Sequence, residues 1–230
     1  MKKIVITGAG TGLGKELALQ YADNDVELHL VGRSLQTLEE TAAEAEKSGA
    51  KVYVHAADIT VVSEVKHIAA EIEEDGPVDI LVNNAGIGMF GPFMESTADQ
   101  MEAMFRTNSF GPIYLAKAFI PGFLQNNRGT IINIISTAGL RGKKNESLYV
   151  ASKFALRGFT ESLQQEYADT GLRIVAAYMG GMNTPFWDET DHIKDKSRLR
   201  TPKEVAEIIV KESAEKTEIV IESKNKSGSA

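Results

Sequence analysis

Short apolar runs alternate with longer amphipathic segments along the chain. The runs are rich in β-branched residues and predict buried strands at 4–7, 27–31, 52–55, 79–83, 130–135, 173–178 and 218–221. Between them, apolar residues recur at helical spacing, as in Leu35, Leu38, Ala42 and Ala45. Because strands that are apolar on both sides need cover on both sides, the alternation predicts an α/β fold. We expect a doubly wound, parallel, seven-stranded sheet of Rossmann type with helices on both faces.

The same pattern predicts one domain over residues 1–222. No stretch rich in Pro, Gly or Ser separates the elements, and no repeat of fixed period is present. The small and polar residues 223–230 are expected to form a disordered tail. The polar stretch 185–200, with Phe186 and Trp187 near its start, is expected to be a mobile flap rather than a second domain.

Composition narrows the function classes. The chain of 230 residues has no cysteine, which excludes disulfides and thiolate chemistry and suits a reducing, cytoplasmic location. A net charge of −7 argues against a nucleic-acid partner. No apolar run approaches the ~18 residues of a membrane span, so no membrane partner is expected.

The four histidines do not predict a metal site, because none has a neighbour at metal-ligand spacing. His29 and His55 lie in predicted strands. His67 and His192 are expected to be exposed.

A glycine-rich turn follows the first predicted strand and opens the first predicted helix. It runs Thr7-Gly8-Ala9-Gly10-Thr11-Gly12-Leu13-Gly14, with Leu13 in the last glycine position of the usual dinucleotide fingerprint. Glycines allow a tight turn and close approach of a pyrophosphate, and the helix N-terminus offers free N–H groups to it. The turn therefore predicts a dinucleotide site, although a tight structural turn gives a similar pattern.

The end of the second predicted strand bears on the choice of dinucleotide. An NAD site usually places an acid there for the ribose 2′-hydroxyl. This chain has Gly32-Arg33-Ser34 instead, and Glu27 lies too early in the strand. Since a guanidinium can pair with a 2′-phosphate, Arg33 favours NADP, with NAD left possible.

Tyr149 and Lys153 stand four residues apart, which places them on one face of a helix. An ammonium beside a phenol favours the phenolate. Lowering a tyrosine pKa from ~10 by roughly three units requires about 4 kcal/mol, which one cation about 4 Å away supplies at an effective dielectric near 20. The spacing predicts a proton-transfer group, although a surface lysine beside a half-buried tyrosine gives the same pattern.

Further motifs occur in a fixed order around this pair. They are the turn Thr7 to Gly14, Asp58-Ile59-Thr60, Asn83-Asn84-Ala85-Gly86, Asn108 within Thr107-Asn108-Ser109, and Ser136 thirteen residues before Tyr149. With them, the chain resembles the short-chain dehydrogenase/reductase family from Lys3 to about Ile221. The resemblance implies hydride transfer between a nicotinamide and a carbonyl or alcohol carbon.

The resemblance also implies residue roles. Tyr149 is the expected acid, Ser136 hydrogen-bonds the substrate oxygen, Lys153 lowers the tyrosine pKa and holds the nicotinamide ribose, and Asn108 anchors water in a proton relay. The expected cofactor-binding residues are Gly8, Gly10, Thr11, Gly12, Leu13, Gly14, Arg33, Asp58, Ile59, Asn84, Ala85, Gly86, Tyr149, Lys153, Gly180, Met182 and Thr184.

One departure from the family pattern follows the sixth predicted strand. Met179 stands where the family usually has proline, so the turn that holds the nicotinamide end is expected to be looser. The spacing from Gly180 to Thr184 is kept.

The substrate is expected to be a small or medium carbonyl or alcohol compound with a hydrophobic part. Its expected lining residues are Met89, Phe90, Phe93, Leu140, Phe186 and Trp187. Two alternatives stay open: a 3-oxoacyl carrier-protein reductase, with a basic patch from Arg106, Lys117, Arg128, Arg141, Lys143 and Lys144, and a dinucleotide-binding sensor without turnover. The resemblance also implies a homodimer or homotetramer formed through the helices that begin near Thr97 and Tyr149.

Overall fold

The computed structural model describes residues 1–188, 190, 192–193 and 199–223. Within these residues the chain forms one parallel sheet of seven strands, in the order β3-β2-β1-β4-β5-β6-β7. The strands are β1 (Lys2–Thr7), β2 (Val26–Gly32), β3 (Lys51–Ala56), β4 (Ile80–Asn83), β5 (Gly129–Ile134), β6 (Leu172–Met179) and β7 (Glu218–Ile221). The predicted fold class is therefore confirmed, and each predicted strand lies within a residue or two of an observed one.

Seven α-helices of the described residues cover the sheet. They are α1 (Gly12–Tyr21), α2 (Leu35–Ala45), α3 (Val62–Glu73), α4 (Ala98–Phe105), α5 (Gly111–Gln125), α6 (Ser147–Glu166) and α7 (Pro202–Glu212). A π-helical stretch, Arg106–Phe110, joins α4 to α5. Capping residues in the sequence determine where two of these helices begin. Thr97 with Gln100 and Thr201 with Glu204 each form a capping box, which satisfies two helix N-terminal donors.

The core lies on both faces of the sheet because successive strand residues point to opposite sides. Ile4 and Ile6 of β1 face a cluster that includes Leu17 of α1 and Ile209 of α7. Val5, between them, faces the other cluster, which α3, α5 and α6 cover. This two-sided burial explains why the strands are apolar at nearly every position.

The sheet order fixes where a ligand can bind. β1 pairs with β2 on one side and with β4 on the other, so the chain crosses over in opposite directions from the centre of the sheet. A crevice opens beyond the carboxyl ends of the strands at such a reversal. The loops that follow β1, β4, β5 and β6 meet there.

The expected flap and tail lie partly outside the described residues, which omit 189, 191, 194–198 and 224–230. In the described part, Pro185–Trp187 forms a 3₁₀ turn with Trp187 buried. Ser223, the first residue of the expected tail, lines the same cavity as Gly180. No helix in the described part of the chain is long and apolar enough to cross a membrane.

Candidate active site

A cavity of about 1170 Å³ occupies the crevice at the carboxyl edge of the sheet. Of the predicted catalytic and cofactor-binding residues, all except Gly14 and Asn108 line it. The structure therefore brings together positions that are up to 176 residues apart in the chain, from Gly8 to Thr184.

The glycine-rich turn has the backbone form that the sequence predicts. Gly8 and Gly12 have φ values of +63° and +55°, in the left-handed region that favours glycine. A Cβ atom on Gly8 would lie 2.9 Å from the Cα atom of Ala85, so a larger residue there would push the turn away from β4. A Cβ atom on Gly14 would collide with the backbone oxygen of Gly8. Gly14 therefore acts by letting α1 approach β1, which explains why it does not line the cavity.

The N-terminus of α1 meets the requirements of an anion site. Thr11 is the N-cap residue of α1 but its side chain makes no capping hydrogen bond, and the first turn of α1 carries no acidic residue. The N–H groups at this end and the positive end of the helix dipole thus face the cavity without a competing carboxylate. The turn fits a dinucleotide pyrophosphate.

Asn84 and Thr7 tie the turn to β4. The Asn84 side-chain amide donates to the backbone oxygens of Thr7 (2.8 Å) and Gly8 (3.3 Å). The Thr7 hydroxyl oxygen accepts from the backbone N–H groups of Asn84 (3.0 Å) and Ala85 (3.1 Å). The side-chain donors of Asn84 are therefore used in shaping the cradle. Thr7 begins the predicted turn but is not among the predicted cofactor-binding residues. The only sequence feature that indicates its role is a hydroxyl group at the end of a strand.

Arg33 lines the cavity at the end of β2 and is exposed. Ser34, its neighbour, caps α2 by accepting from the backbone N–H of Thr37. On the other side, Asp58 folds its own loop, since its carboxylate accepts from Thr60 N at 2.8 Å. At the end of β2 the cavity is therefore lined by the Arg33 cation and by the hydroxyl-bearing residues Ser34 and Thr37.

Ser136 follows β5 in a strained backbone conformation. Its φ is +93°, a value that residues other than glycine rarely adopt. Strain of this kind persists only where surrounding structure holds it, and it concentrates at functional sites. The Ser136 hydroxyl accepts from Ala138 N at 3.2 Å and also interacts with the Tyr149 phenol.

Tyr149 and Lys153 lie in the first turns of α6 and are both buried, with 7% and 4% of their surface exposed. Lys153 Nζ donates to the backbone oxygen of Ile134 at 3.0 Å. It lies 5.9 Å from the centroid of the Tyr149 ring. The predicted proximity on one helix face is therefore present.

The predicted direction of the Tyr149 pKa is wrong for the chain by itself. Burial raises the pKa of Tyr149, the Ser136 hydrogen bond lowers it, and the charge on Glu146 raises it further. Burial also lowers the pKa of Lys153 to about 8. The sequence argument counted the attraction of the ammonium but not the cost of removing a phenolate from water, and the latter dominates here.

Asn108 lies in the π-helical stretch and is fully buried behind the cavity. Its Oδ1 accepts from Ile87 N (2.9 Å), and its Nδ2 donates to Ile87 O (2.9 Å) and to Ser152 Oγ (3.0 Å). The side chain is therefore committed to the loop after β4 and to α6. These contacts were not expected from the sequence, which assigned the residue to a water relay.

Aromatic side chains pack against Tyr149. The Phe90 and Phe186 rings lie 5.4 and 6.0 Å from its ring centroid. The expectation of an exposed His192 is wrong. Its ring stacks on Phe90 at 4.7 Å, Nε2 lies 2.9 Å from a Glu146 carboxylate oxygen, and only 19% of the side chain is exposed.

Four of the six expected substrate-lining residues, Met89, Phe90, Phe93 and Leu140, do not line the cavity. Met89 and Phe93 are exposed, the latter by 62%, and Leu140 packs against the separate cluster of Ile135 and Leu156. Residue polarity alone does not say which loop side chains turn inward. Phe186 and Trp187 do line the cavity, as predicted.

The turn after β6, which was expected to be looser without proline, makes backbone hydrogen bonds to neighbouring segments. Met179 is buried and pairs with Ile221 of β7, and Gly180 N donates to Ile221 O at 2.8 Å. Asn183 N donates to Arg200 O at 2.9 Å. Strand pairing thus constrains the turn in which Met179 stands in place of the family's usual proline.

Within the part of the chain that the structure describes, no group of three His, Asp or Glu side chains is arranged to hold a metal ion.

Comparisons with known proteins agree with this geometry. The family model of short chain dehydrogenases matches residues 2–195. An uncharacterized oxidoreductase of Staphylococcus saprophyticus is 34% identical over 211 residues, covering 91% of this chain and 89% of the relative. An alcohol dehydrogenase of the archaeon Thermococcus sibiricus complexed with 5-hydroxy-NADP has a TM-score of 0.86 and 27% identity, covering 96% of this chain and 95% of that one. A short-chain dehydrogenase of Sphingobium yanoikuyae in complex with NADPH has a TM-score of 0.88 and 27% identity, covering 96% of this chain and 87% of that one. The chain therefore belongs to the short chain dehydrogenase family and is an oxidoreductase that acts on alcohol or carbonyl groups with a nicotinamide dinucleotide.

Proposed function

We propose that this protein is an NADP-preferring oxidoreductase that interconverts a carbonyl and an alcohol, with Tyr149 as the general acid and base. The observation that carries the proposal is the meeting of two half-sites in one cavity. Ser136, Tyr149 and Lys153 line one part, and the glycine turn at the N-terminus of α1 lines another. The first can transfer a proton, and the second can hold a pyrophosphate.

The residues present fit a nicotinamide dinucleotide, which supplies or takes the hydride when bound. The glycine turn and the N–H groups of α1 would hold its pyrophosphate. Arg33 would pair with a 2′-phosphate, and Asp58 and Ile59 would meet the adenine. Met182 and Thr184, which line the cavity after β6, would hold the carboxamide.

Tyr149 donates its phenol proton to the substrate oxygen in the reductive direction. Because burial raises the pKa of Tyr149, the side chain is protonated at neutral pH, which is the form that a general acid requires. The Ser136 hydroxyl donates a hydrogen bond to the same oxygen as negative charge grows on it. Lys153, with a pKa lowered to about 8, still carries its charge at pH 7 and stabilises the phenolate after the transfer.

NADP is the preferred cofactor in this proposal because of Arg33. The residue lines the cavity at the end of β2, where NAD-specific sites usually carry an acid. The similar structures from Thermococcus sibiricus and Sphingobium yanoikuyae are complexes with 5-hydroxy-NADP and NADPH, which supports the assignment.

A substrate with a hydrophobic part fits the wall next to Tyr149. Ile87, Phe186 and Trp187 line the cavity there, while Glu146 and Lys143 add charge at its edge. We propose a small or medium aldehyde, ketone or secondary alcohol.

The carrier-protein alternative is less favoured, because the three arginines among the residues expected to form its basic patch are paired with carboxylates. Arg141 is paired in a bidentate manner with Glu222, and Arg128 and Arg106 are paired with Asp79 and Glu102. Much of the basic patch that an acidic carrier would need is thereby neutralised. The sensor alternative is disfavoured because the four expected catalytic side chains are all present and held in place.

A panel of aldehydes, ketones and diketones with NADPH tests the proposal, with loss of NADPH absorbance as the readout. Turnover of at least one neutral, partly hydrophobic carbonyl is expected, together with inactivity of Tyr149→Phe. NADPH binding without turnover over the whole panel would favour the sensor. Activity on an acetoacetyl thioester alone would favour the carrier-protein reductase.

We also propose that the chain forms a homodimer or homotetramer through α4, α5 and α6. Met101 of α4, Phe110 of the π-helical stretch that joins α4 to α5, and Phe154 of α6 are exposed, and burying them in an interface would be favourable. Light scattering is expected to give a multiple of the 25.0 kDa chain mass, and a monomer at micromolar concentration would contradict the assembly.

A further inference from the structure

Ser152 is fully buried on α6, between Tyr149 and Lys153 in the chain. Its hydroxyl donates to the backbone oxygen of Tyr149 at 2.7 Å and accepts from Asn108 Nδ2 at 3.0 Å. Its own backbone oxygen accepts from the hydroxyl of Ser109 at 2.9 Å. The hydroxyl and the backbone carbonyl of Ser152 thus both link α6, which carries Tyr149 and Lys153, to the π-helical stretch.

The direction of every hydrogen bond in this chain of contacts is fixed. The backbone N–H of Ile87 can only donate, so it sets Oδ1 of Asn108 as the acceptor at 2.9 Å. Nδ2 of Asn108 must then face Ser152, whose oxygen accepts and whose proton goes to the Tyr149 carbonyl. The orientation of the loop after β4 is thereby transmitted to the first turn of α6.

The π-helical geometry of Arg106–Phe110 supports a role beyond filling space. Single π turns inside helices are uncommon and occur often at functional sites. Here the stretch aims two successive buried side chains, those of Asn108 and Ser109, at the same residue of α6. A continuous α-helix would direct successive side chains about 100° apart.

We propose that Ser152 is a positioning residue for the reaction: its hydroxyl fixes the turn of α6 that carries Tyr149 and Lys153 against the loop after β4. Ser152 does not line the cavity and does not touch the reacting atoms. Its effect is exerted through the placement of Tyr149 relative to Ser136. This inference rests on the proposed function of Tyr149.

Thr160 is a matched control on the same helix. It is also fully buried, its hydroxyl donates to the backbone oxygen of Leu156 at 2.7 Å, and it accepts from Asn133 Nδ2 at 2.9 Å. The local chemistry is therefore nearly the same as at Ser152. It lies eleven residues after Tyr149, it does not line the cavity, and its hydroxyl is bonded to Leu156 and Asn133 rather than to the π-helical stretch.

The experiment compares Ser152→Ala with Thr160→Val in kcat, in KM for NADPH and in the pH profile of kcat. Both variants are expected to lower the melting temperature. Only Ser152→Ala is expected to lower kcat, by about tenfold or more, because small misplacements of reacting groups can cost up to about a hundredfold. It is also expected to shift the limb of the profile that reports the acid, with KM for NADPH within about twofold of the wild type.

Ser109→Ala is a second variant in case Ser152→Ala does not fold. It removes only the bond to the Ser152 carbonyl, and a smaller decrease of kcat with the same profile shift is expected. Equal kcat and unchanged pH profiles for Ser152→Ala (or Ser109→Ala) and Thr160→Val would overturn the positioning role. Wild-type turnover is measured first: an inactive wild type refutes the proposed function, whereas an active wild type with no difference between the variants refutes only the role of Ser152.

Discussion

Lys153 Nζ lies 5.9 Å from the centroid of the Tyr149 ring and donates its hydrogen bond to the backbone of Ile134 instead. Both side chains are buried at the floor of one cavity, so each charged form is costly there. The phenol consequently holds its proton and the ammonium gives up its proton more easily than in water. The pair is arranged for a tyrosine that acts as an acid, with a cation close by to stabilise the phenolate that results.

Tyr149→Phe removes the proton donor and keeps the ring. Turnover of a carbonyl substrate is expected to fall by about 10²–10⁴-fold, the usual contribution of general acid catalysis. NADPH binding is expected to stay within about threefold of the wild type, because the fold and the glycine turn are unchanged. Trp187 is the single tryptophan and lines the cavity, so its fluorescence reports binding. Retained turnover would exclude Tyr149 as the acid.

Lys153→Met tests the cost of the buried ammonium. The folded pKa of Lys153 is about 8, below its ordinary value of 10.5, so the unfolded chain binds more protons between these values. Stability of the wild type without NADPH is therefore expected to rise as the pH increases from about 8 to about 10.5. At pH 7 the burial costs on the order of 3 kcal/mol, part of which Lys153→Met regains.

Urea unfolding of the two proteins at pH 7 and pH 9.5 without NADPH measures this. We expect Lys153→Met to be the more stable at pH 7 by about 1–3 kcal/mol, to lose turnover, and to lose its advantage at the higher pH. A variant that is less stable at both pH values would show that the bond to Ile134 outweighs the desolvation of the ammonium.

Much of the fold and of the cavity follows from local patterns in the sequence. Strands such as β4 and β6 are apolar on both sides, and few folds other than a sheet covered by helices on both faces bury such strands. The spacing of the glycines predicts the turn, and the spacing of Tyr149 and Lys153 predicts that they share one face of a helix.

The features that could not be predicted depend on contacts between distant residues. His192 lies on Phe90, 102 residues away in the chain, and no periodicity signals that contact. The positive φ of Ser136 and the π-helical turn at Asn108 are likewise imposed by packing, as is the desolvation that sets the Tyr149 pKa.

His29 and His55 form a buried pair outside the cavity. Nδ1 of His29 and Nε2 of His55 are 2.9 Å apart, and Nε2 of His29 lies 2.9 Å from a Glu27 carboxylate oxygen. Only one proton can lie between the two rings. Burial lowers the pKa of both histidines; the Glu27 hydrogen bond opposes this at His29, and the charge of Glu71 opposes it at His55. The sequence placed both residues in strands but gave no sign of the contact.

The pair is expected to make the protein less stable in mild acid. Because both folded pKa values lie below the unfolded value of about 6.5, the unfolded chain binds more protons as the pH falls through that value, and stability declines. His55→Leu is expected to flatten the dependence of the unfolding free energy on pH between pH 7.5 and 5.5. His67→Gln, at an exposed position of α3, is the control and is expected to keep the wild-type slope. Parallel curves for His55→Leu and the wild type would contradict the assignment.

Arg33 is expected to set the choice between NADPH and NADH. It is the cation that lines the cavity at the end of β2, and we expect NADPH to bind at least about tenfold more tightly, which corresponds to about 1.4 kcal/mol. Arg33→Asp replaces the cation with an acid that repels a 2′-phosphate and accepts from a 2′-hydroxyl, so the preference is expected to narrow or reverse. Lys66→Glu, at an exposed site on α3 outside the cavity, makes the same change in net charge. This control variant is expected to keep the wild-type preference for NADPH. Fluorescence titration of Trp187 with each nucleotide measures the ratio. Equal affinities in the wild type, or equal effects of the two substitutions, would mean that overall charge rather than Arg33 governs the selection.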